Sequence, residues 1–193
     1  MKKNTEKILF DSAKELFINQ GYKNTKVSEI TKKSNIGTGT FYNYFDSKSD
    51  IFLEIYLNRH NKMLNKMTSL INNQDEPIDI IENILRTFLN IMKTDPILKM
   101  FLDREIHHKF RKSYEVLRKN NRFENTYNIF RPYFIKWQEQ NKINKSIDLK
   151  TLLATLDSLF YIELYKNDIG NEFFPDVIDF LIESVLFKLR KNN

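Results

Sequence analysis

The stretch Gly21-Tyr22-Lys23-Asn24-Thr25-Lys26-Val27-Ser28-Glu29-Ile30, continued by Ser34-Asn35-Ile36-Gly37-Thr38-Gly39-Thr40-Phe41-Tyr42-Asn43-Tyr44-Phe45-Asp46-Ser47-Lys48, decides the fold of this 193-residue chain. Gly21 stands where a left-handed residue ends a helix. Val27 and Ile30 are spaced for a short helix over about 27–34. Asn35, Ile36 and Gly37 break it, and a second, very short helix is expected over about 38–44. Phe41 and Phe45 lie four apart and can meet one core. So few residues do not stay helical alone, so these two rings must pin the segment to its neighbours. Two short helices across a tight turn, with a stabilising helix before them, describe a helix-turn-helix.

The stabilising helix is expected over about 5–20. Ile8, Leu9, Ala13, Leu16 and Phe17 form one apolar stripe, with Thr5 as N-cap. Downstream, a long helix should open near Ser47, whose hydroxyl can cap it, with Asp50 favouring the same end, and run toward Leu70. Pro77 suits the first turn of a helix reaching about Met92. Asp95-Pro96 should restart the chain in one helix toward Phe110. Further helices are expected over about 123–140, with a kink or boundary at Pro132, over about 148–166, and from Pro175 onward.

Composition narrows the class. With 41% hydrophobic and 29% charged residues the chain can bury a core. Four glycines and four prolines favour long helices over many short strands. The absence of cysteine excludes disulfides and thiolate metal sites. The N-terminus lacks the apolar run of a signal peptide, and no stretch approaches the roughly 18 apolar residues of a membrane span. The expected location is cytoplasmic. The net charge of +6 suits a polyanionic partner. Half of that excess lies in the first 50 residues, which hold nine lysines and six acids.

The quoted stretch resembles the TetR family of transcriptional regulators, in motif detail over about 5–55 and beyond that only in length and helical pattern. The resemblance implies an all-α chain of about nine helices: a helix-turn-helix DNA-binding domain over 1–47, and a helical effector-binding and dimerisation domain over 48–193. Thr38, Tyr42 and Asn43 should face a DNA major groove. Gly39 lets the backbone approach closely, and Thr40 can bond a phosphate or touch a thymine methyl. Tyr42 and Tyr44 offer hydroxyls to phosphates, and Asn43 can also bond an adenine edge. Lys48 is similar to the family's phosphate-gripping lysine, while Lys26 and Ser28 should touch the backbone or flanking bases. Lys2 and Lys3 can add contacts. The chain departs from the family at Asn35, where glycine is usual but Asn tolerates the left-handed region, and at Lys26, where Thr or Ser is frequent.

The same resemblance implies a largely apolar ligand cavity in the body. The candidates are Phe88, Met92, Phe101, His108, Phe110, Phe130, Phe134, Trp137, Asp157, Phe160 and Tyr161, each of which can equally be plain core. The last two helices are apolar over more than one face: Leu159, Tyr161, Phe180 and Phe187 lie off the main stripes. A helix apolar on several faces needs a second cover, so a homodimer through these helices is expected, with burial inside a monomer as the alternative.

The expected function is a regulator, in the family's usual mode a repressor. It would bind a palindromic operator as a dimer and be released by a small, largely apolar effector that shifts the long helix. The alternative is a DNA-binding regulator governed by a partner protein, or an architectural factor without a ligand. No catalytic motif is present: there is no G-x-S-x-G, H-E-x-x-H or P-loop, and Gly37-Thr38-Gly39 lacks the third glycine of a dinucleotide fingerprint. No enzyme activity, cofactor or metal is expected.

Overall fold

The computed structural model describes residues 2–72, 75–119 and 126–191, with only the backbone at 2–3 and 114–119. Among the described residues it holds ten α-helices, two short 3-10 turns and no strand. The helices are α1 (Lys2–Asn24), α2 (Val27–Ser34), α3 (Thr38–Tyr42), α4 (Lys48–Ser69), α5 (Pro77–Thr94), α6 (Arg104–Lys119), α7 (Thr126–Glu139), α8 (Leu149–Leu164), α9 (Lys166–Ile169) and α10 (Asp176–Leu189). The chain is all-α, as the pattern predicts. The single turn α9 is the helix beyond the expected nine. The side chains of Lys2 and Lys3, and the helix start expected at 123, lie outside the described residues.

Two compact units are present. The first comprises Met1–Asn61 with Thr94–Glu115, and the second Lys62–Lys93 with Val116–Asn193. The helix-turn-helix expected over 1–47 lies within the first.

In the first unit, Leu9, Ala13 and Phe17 of α1 are fully buried, as is Ile30 of α2. Burial of a Leu, Ile or Phe side chain contributes about 1.5–3 kcal/mol. Gly21 has φ +79°, a conformation that L side chains rarely adopt, and there the backbone of α1 departs from helical geometry. Lys33 reaches Glu15 at 2.7 Å, tying α2 to α1. Aromatic rings fill the centre. Phe52 lies edge-on to Phe17 at 5.2 Å, and it meets Tyr22 at 4.8 Å and Phe110 at 5.1 Å. Phe101 stacks on Tyr56 with centroids 3.8 Å apart.

Two expectations need correction here. Thr5, expected as the N-cap of the first helix, lies inside α1, which begins at Lys2. Residues 95–110 are two elements, a 3-10 turn over Leu98–Leu102 followed by α6. Asp95 starts the first by accepting the amides of Ile97 (3.0 Å) and Leu98 (3.1 Å). Asp103 starts the second by accepting those of Glu105 (3.0 Å) and Ile106 (3.2 Å). Two short-chain carboxylates compete with the continuous ladder and split it. Asp95 is buried and also accepts Arg59 Nε at 2.7 Å.

In the second unit, α5 buries Ile80, Ile81, Ile84, Leu85, Leu89 and Met92 along one face. Pro132 lies inside α7 without dividing it. Asp148 is the N-cap of α8, accepting Thr151 N at 2.9 Å, as expected. The buried Glu163 of α8 pairs with Lys93 at 2.8 Å and Lys166 at 3.0 Å. Burial raises its carboxyl pKa, but these two ammonium groups outweigh burial and hold it below the ordinary value. Arg86 of α5 bonds Asp179 of α10 at 2.8 Å. No helix among the described residues is long and apolar enough to cross a membrane.

Candidate nucleic-acid interface

The turn between α2 and α3 is held as its sequence requires. Asn35 adopts φ 54°, ψ 37°, the left-handed region, and Ile36 N donates to Thr31 O at 3.0 Å. Phe41 is fully buried and Phe45 nearly so, with ring centroids 5.8 Å apart. The helix α3 is shorter than expected, ending at Tyr42. The backbone still turns onward, with Phe45 N donating to Phe41 O at 3.1 Å. These rings fix one side of α3, so its other side is left to solvent.

That other side carries the predicted residues. Thr38, Gly39, Thr40, Tyr42 and Asn43 are all exposed, and so are Lys26 and Ser28 at the start of α2. Tyr42 is 51% exposed despite lying edge-on to Phe41 at 5.3 Å, so its hydroxyl is free of the core. Tyr44 is half-buried. A β-carbon added to Gly39 would meet nothing within 4 Å. Packing within the chain therefore gives no reason for glycine there, although glycine costs a helix roughly 0.5–1 kcal/mol relative to alanine.

Lys26 caps α2 through its backbone alone. Its amide donates to Glu29 Oε2 at 2.7 Å, and its side chain makes no capping bond. The ammonium is thus exposed where a Thr or Ser would have turned inward to cap.

Lys48 has a role that sequence reasoning missed. Its Nζ donates to Tyr22 O at 2.8 Å and to Thr25 O at 2.7 Å, and lies 4.3 Å from the Tyr22 ring centroid. Burial lowers its pKa below the ordinary lysine value. The ammonium therefore closes the end of α1 onto the start of α4. Nothing in the spacing of Lys48 and Tyr22 signals this, because they meet only in the tertiary fold. Ser47 caps α4 as expected, its Oγ accepting from Ser49 N (3.1 Å) and Asp50 N (3.2 Å).

The residues considered for an effector cavity are divided between the units. Phe101, His108 and Phe110 lie in the first. There Phe101 and Phe110 belong to the closed aromatic cluster, with centroids 5.9 Å apart, and His108 is exposed. In the second unit Met92, Phe134 and Trp137 are buried, and Phe88, Phe130 and Phe160 are half-buried. Asp157 is exposed and Tyr161 is half-exposed. Apolar side chains also reach solvent on the last helices: Phe180 is 71% and Phe187 76% exposed.

Comparison with known proteins agrees with this geometry. Residues 9–55 match the family described as bacterial regulatory proteins, tetR family. Over 75 residues the chain is 33% identical to the HTH-type transcriptional regulator YuxN of Bacillus subtilis, a match covering 39% of this chain and 26% of that protein. The chain spans less than half the length of the curated relatives it matches. Solved structures agree over the whole fold. The fatty acid degradation regulator FadR of Bacillus halodurans superposes with a TM-score of 0.65, at 18% identity and 94% coverage of both chains. RolR in complex with its ligand resorcinol gives a TM-score of 0.70 at 20% identity, covering 98% of this chain and 89% of RolR. The family match and the shared fold lead to one statement: residues 9–55 carry the helix-turn-helix of the tetR family of bacterial regulatory proteins, and the rest of the chain shares the fold of the solved regulators.

Proposed function

We propose that this chain represses transcription by binding a palindromic operator as a homodimer, and that a small, largely apolar effector bound in its second half releases it. The observation that carries the DNA half is Gly39. It stands exposed on the solvent side of α3, with no neighbour that a β-carbon would touch. An outside partner that must come close to the backbone accounts for it, and the exposed Thr38, Thr40, Tyr42 and Asn43 around it offer donors and acceptors to base edges and phosphates. Lys26 and Ser28 would grip the flanking backbone, and Tyr44 would add a hydroxyl at the rim. Lys48 would set the start of α4 against the end of α1 and offer its third N–H to a phosphate.

The functional division is residues 1–47 for DNA and 48–193 for effector and dimer. The exposed rings of α8 and α10 would be covered by the same helices of a second copy, which places two readers on one symmetric operator. RolR holds resorcinol, and an effector of comparable size is proposed for this chain. Such an effector acts only if it favours the state that does not bind DNA, and couplings are typically about 1–3 kcal/mol. The site of action is proposed to be the cytoplasm.

Binding of the protein to DNA flanking its own gene, measured across a salt series, tests the reading. Binding should be specific for a palindrome and should weaken steeply with salt. Tyr42→Ala should abolish the specificity and leave the helical content intact. Equal binding of both proteins to every sequence would overturn it.

A further inference from the structure

The second unit carries a partly open recess of about 280 Å³ that none of the expected site residues explains except Phe134. Its walls come from α7 and from the segment that leads into α8. Phe134 and Leu149 form a buried apolar floor, flanked by Tyr127, Ile135 and Ile147. Two exposed cations, Arg131 and Lys145, stand at its edge. Among the described residues neither has a carboxylate within ion-pair distance. A third, Lys150, places its ammonium 5.6 Å from the Tyr127 ring centroid.

The one acid of the lining, Asp148, is already engaged. Its Oδ2 accepts both the amide (2.9 Å) and the hydroxyl (3.2 Å) of Thr151. The wall is also preformed. Gln138 Nε2 donates to Ile147 O at 2.9 Å and to Asn144 O at 3.3 Å, and Asn144 N donates to Leu189 O at 2.8 Å. A recess held open by such bonds orders little of the chain when it fills.

We infer that this recess binds a small organic anion, with its carboxylate between Arg131 and Lys145 and its apolar body on Phe134 and Leu149. Charge sets the sign of the ligand, because a cationic or neutral head would leave both cations without a partner. Arg131 can hold a carboxylate by two parallel N–H bonds, and Lys145 adds a point charge. The volume lies just below the roughly 300–1,000 Å³ of drug-sized small-molecule sites. It suits one ring or a short chain rather than a nucleotide cofactor. The site deepens the sensor half of the proposed function and rests on it for any effect at DNA, whereas binding itself does not.

The test uses the full chain without DNA, with octanoate and benzoate as probes. Calorimetric titration is followed in parallel by the fluorescence of Trp137, the chain's single tryptophan, next to Gln138 on α7. At least one of the two carboxylates should bind with a single site. Octylamine should not bind, and Arg131→Gln/Lys145→Gln should weaken carboxylate binding tenfold or more. Both substituted side chains are exposed, so the fold should survive, and unchanged circular dichroism would show it. An Ile147→Glu variant, which puts a negative charge at the mouth, should weaken binding at least as much. Equal affinity of wild type and double variant would overturn the inference, as would failure of both carboxylates to bind at millimolar concentration. Carboxylate binding that depends on Arg131 and Lys145 in a protein indifferent to DNA would uphold the site and refute the regulator reading instead.

Discussion

The ammonium of Lys48 sits 4.3 Å from the centre of the Tyr22 ring while donating to the Tyr22 carbonyl at 2.8 Å. One side chain of α4 thus holds both the ring and the backbone of the residue that follows the Gly21 break. The Tyr22 hydroxyl returns to α4 through Ser49 Oγ at 2.9 Å. A residue expected to act only on DNA is therefore part of the fold. Lys48→Met should lower stability by about 1–2 kcal/mol, the scale of hydrogen bonds from a charged donor at a half-buried site. Chemical denaturation of the two proteins measures it. If stability is unchanged while DNA binding falls, the lysine serves DNA alone.

At Gly39 the fold and the proposed function pull in opposite directions. Gly39→Ala should stabilise the protein by roughly 0.5–1 kcal/mol, because alanine is the better helix former and the added methyl meets nothing. Operator affinity should drop in the same variant. Thermal melting and a binding titration read the two effects separately. A variant that is more stable and binds equally well would remove the close-approach argument.

Much of the fold was legible in the sequence, and for a physical reason. The turn chemistry of Asn35 and the caps at Ser47 and Asp148 are local, so residue type and spacing suffice. The same holds for the Phe41–Phe45 pair. The interactions of Lys48 with Tyr22 and of Glu163 with Lys93 join residues far apart in the chain, and no period in the sequence reports them. The 95–110 segment was misjudged because its apolar spacing suits one helix, while Asp103 stops the ladder and begins a new one. Most of the effector candidates are large apolar side chains, and size and apolarity cannot separate a closed core such as Phe101–Phe110 from a cavity wall. The recess beside Arg131 depends on a bent segment, 142–149, whose path only the fold reveals.

His60 gives the protein an acid limit. Burial pushes its pKa down to about 4, and the ring stacks on Tyr56 at 6.1 Å. The unfolded chain takes up this proton near the ordinary value of about 6.5, so between about 6.5 and 4 the unfolded state binds more protons. Stability from this group is therefore fully present above pH 6.5 and is withdrawn as pH falls through 4. The loss is as much as about 3 kcal/mol, at 1.36 kcal/mol per pKa unit. His60→Gln should flatten the stability profile over that window. A wild-type profile level from pH 7 to 4 would show that the imidazole gains its proton without cost.

Phe180 and Phe187 stand seven residues apart on α10, about two helical turns, and therefore on one face. Ile178, Ile182, Leu186 and Leu189 point into the second unit and are buried. The helix is apolar on both sides, and among the described residues only one side has a cover. Rings 71% and 76% exposed would be shielded by a second copy of the same face. The wild-type protein should sediment as a dimer at micromolar concentration. Phe180→Glu/Phe187→Glu should sediment as a monomer of unchanged helical content, since the substituted positions lie outside the buried face. Operator affinity should fall with the dimer, because one reader then has to bind without the other. A wild-type monomer that binds its operator as tightly as the double variant does would require another role for this face.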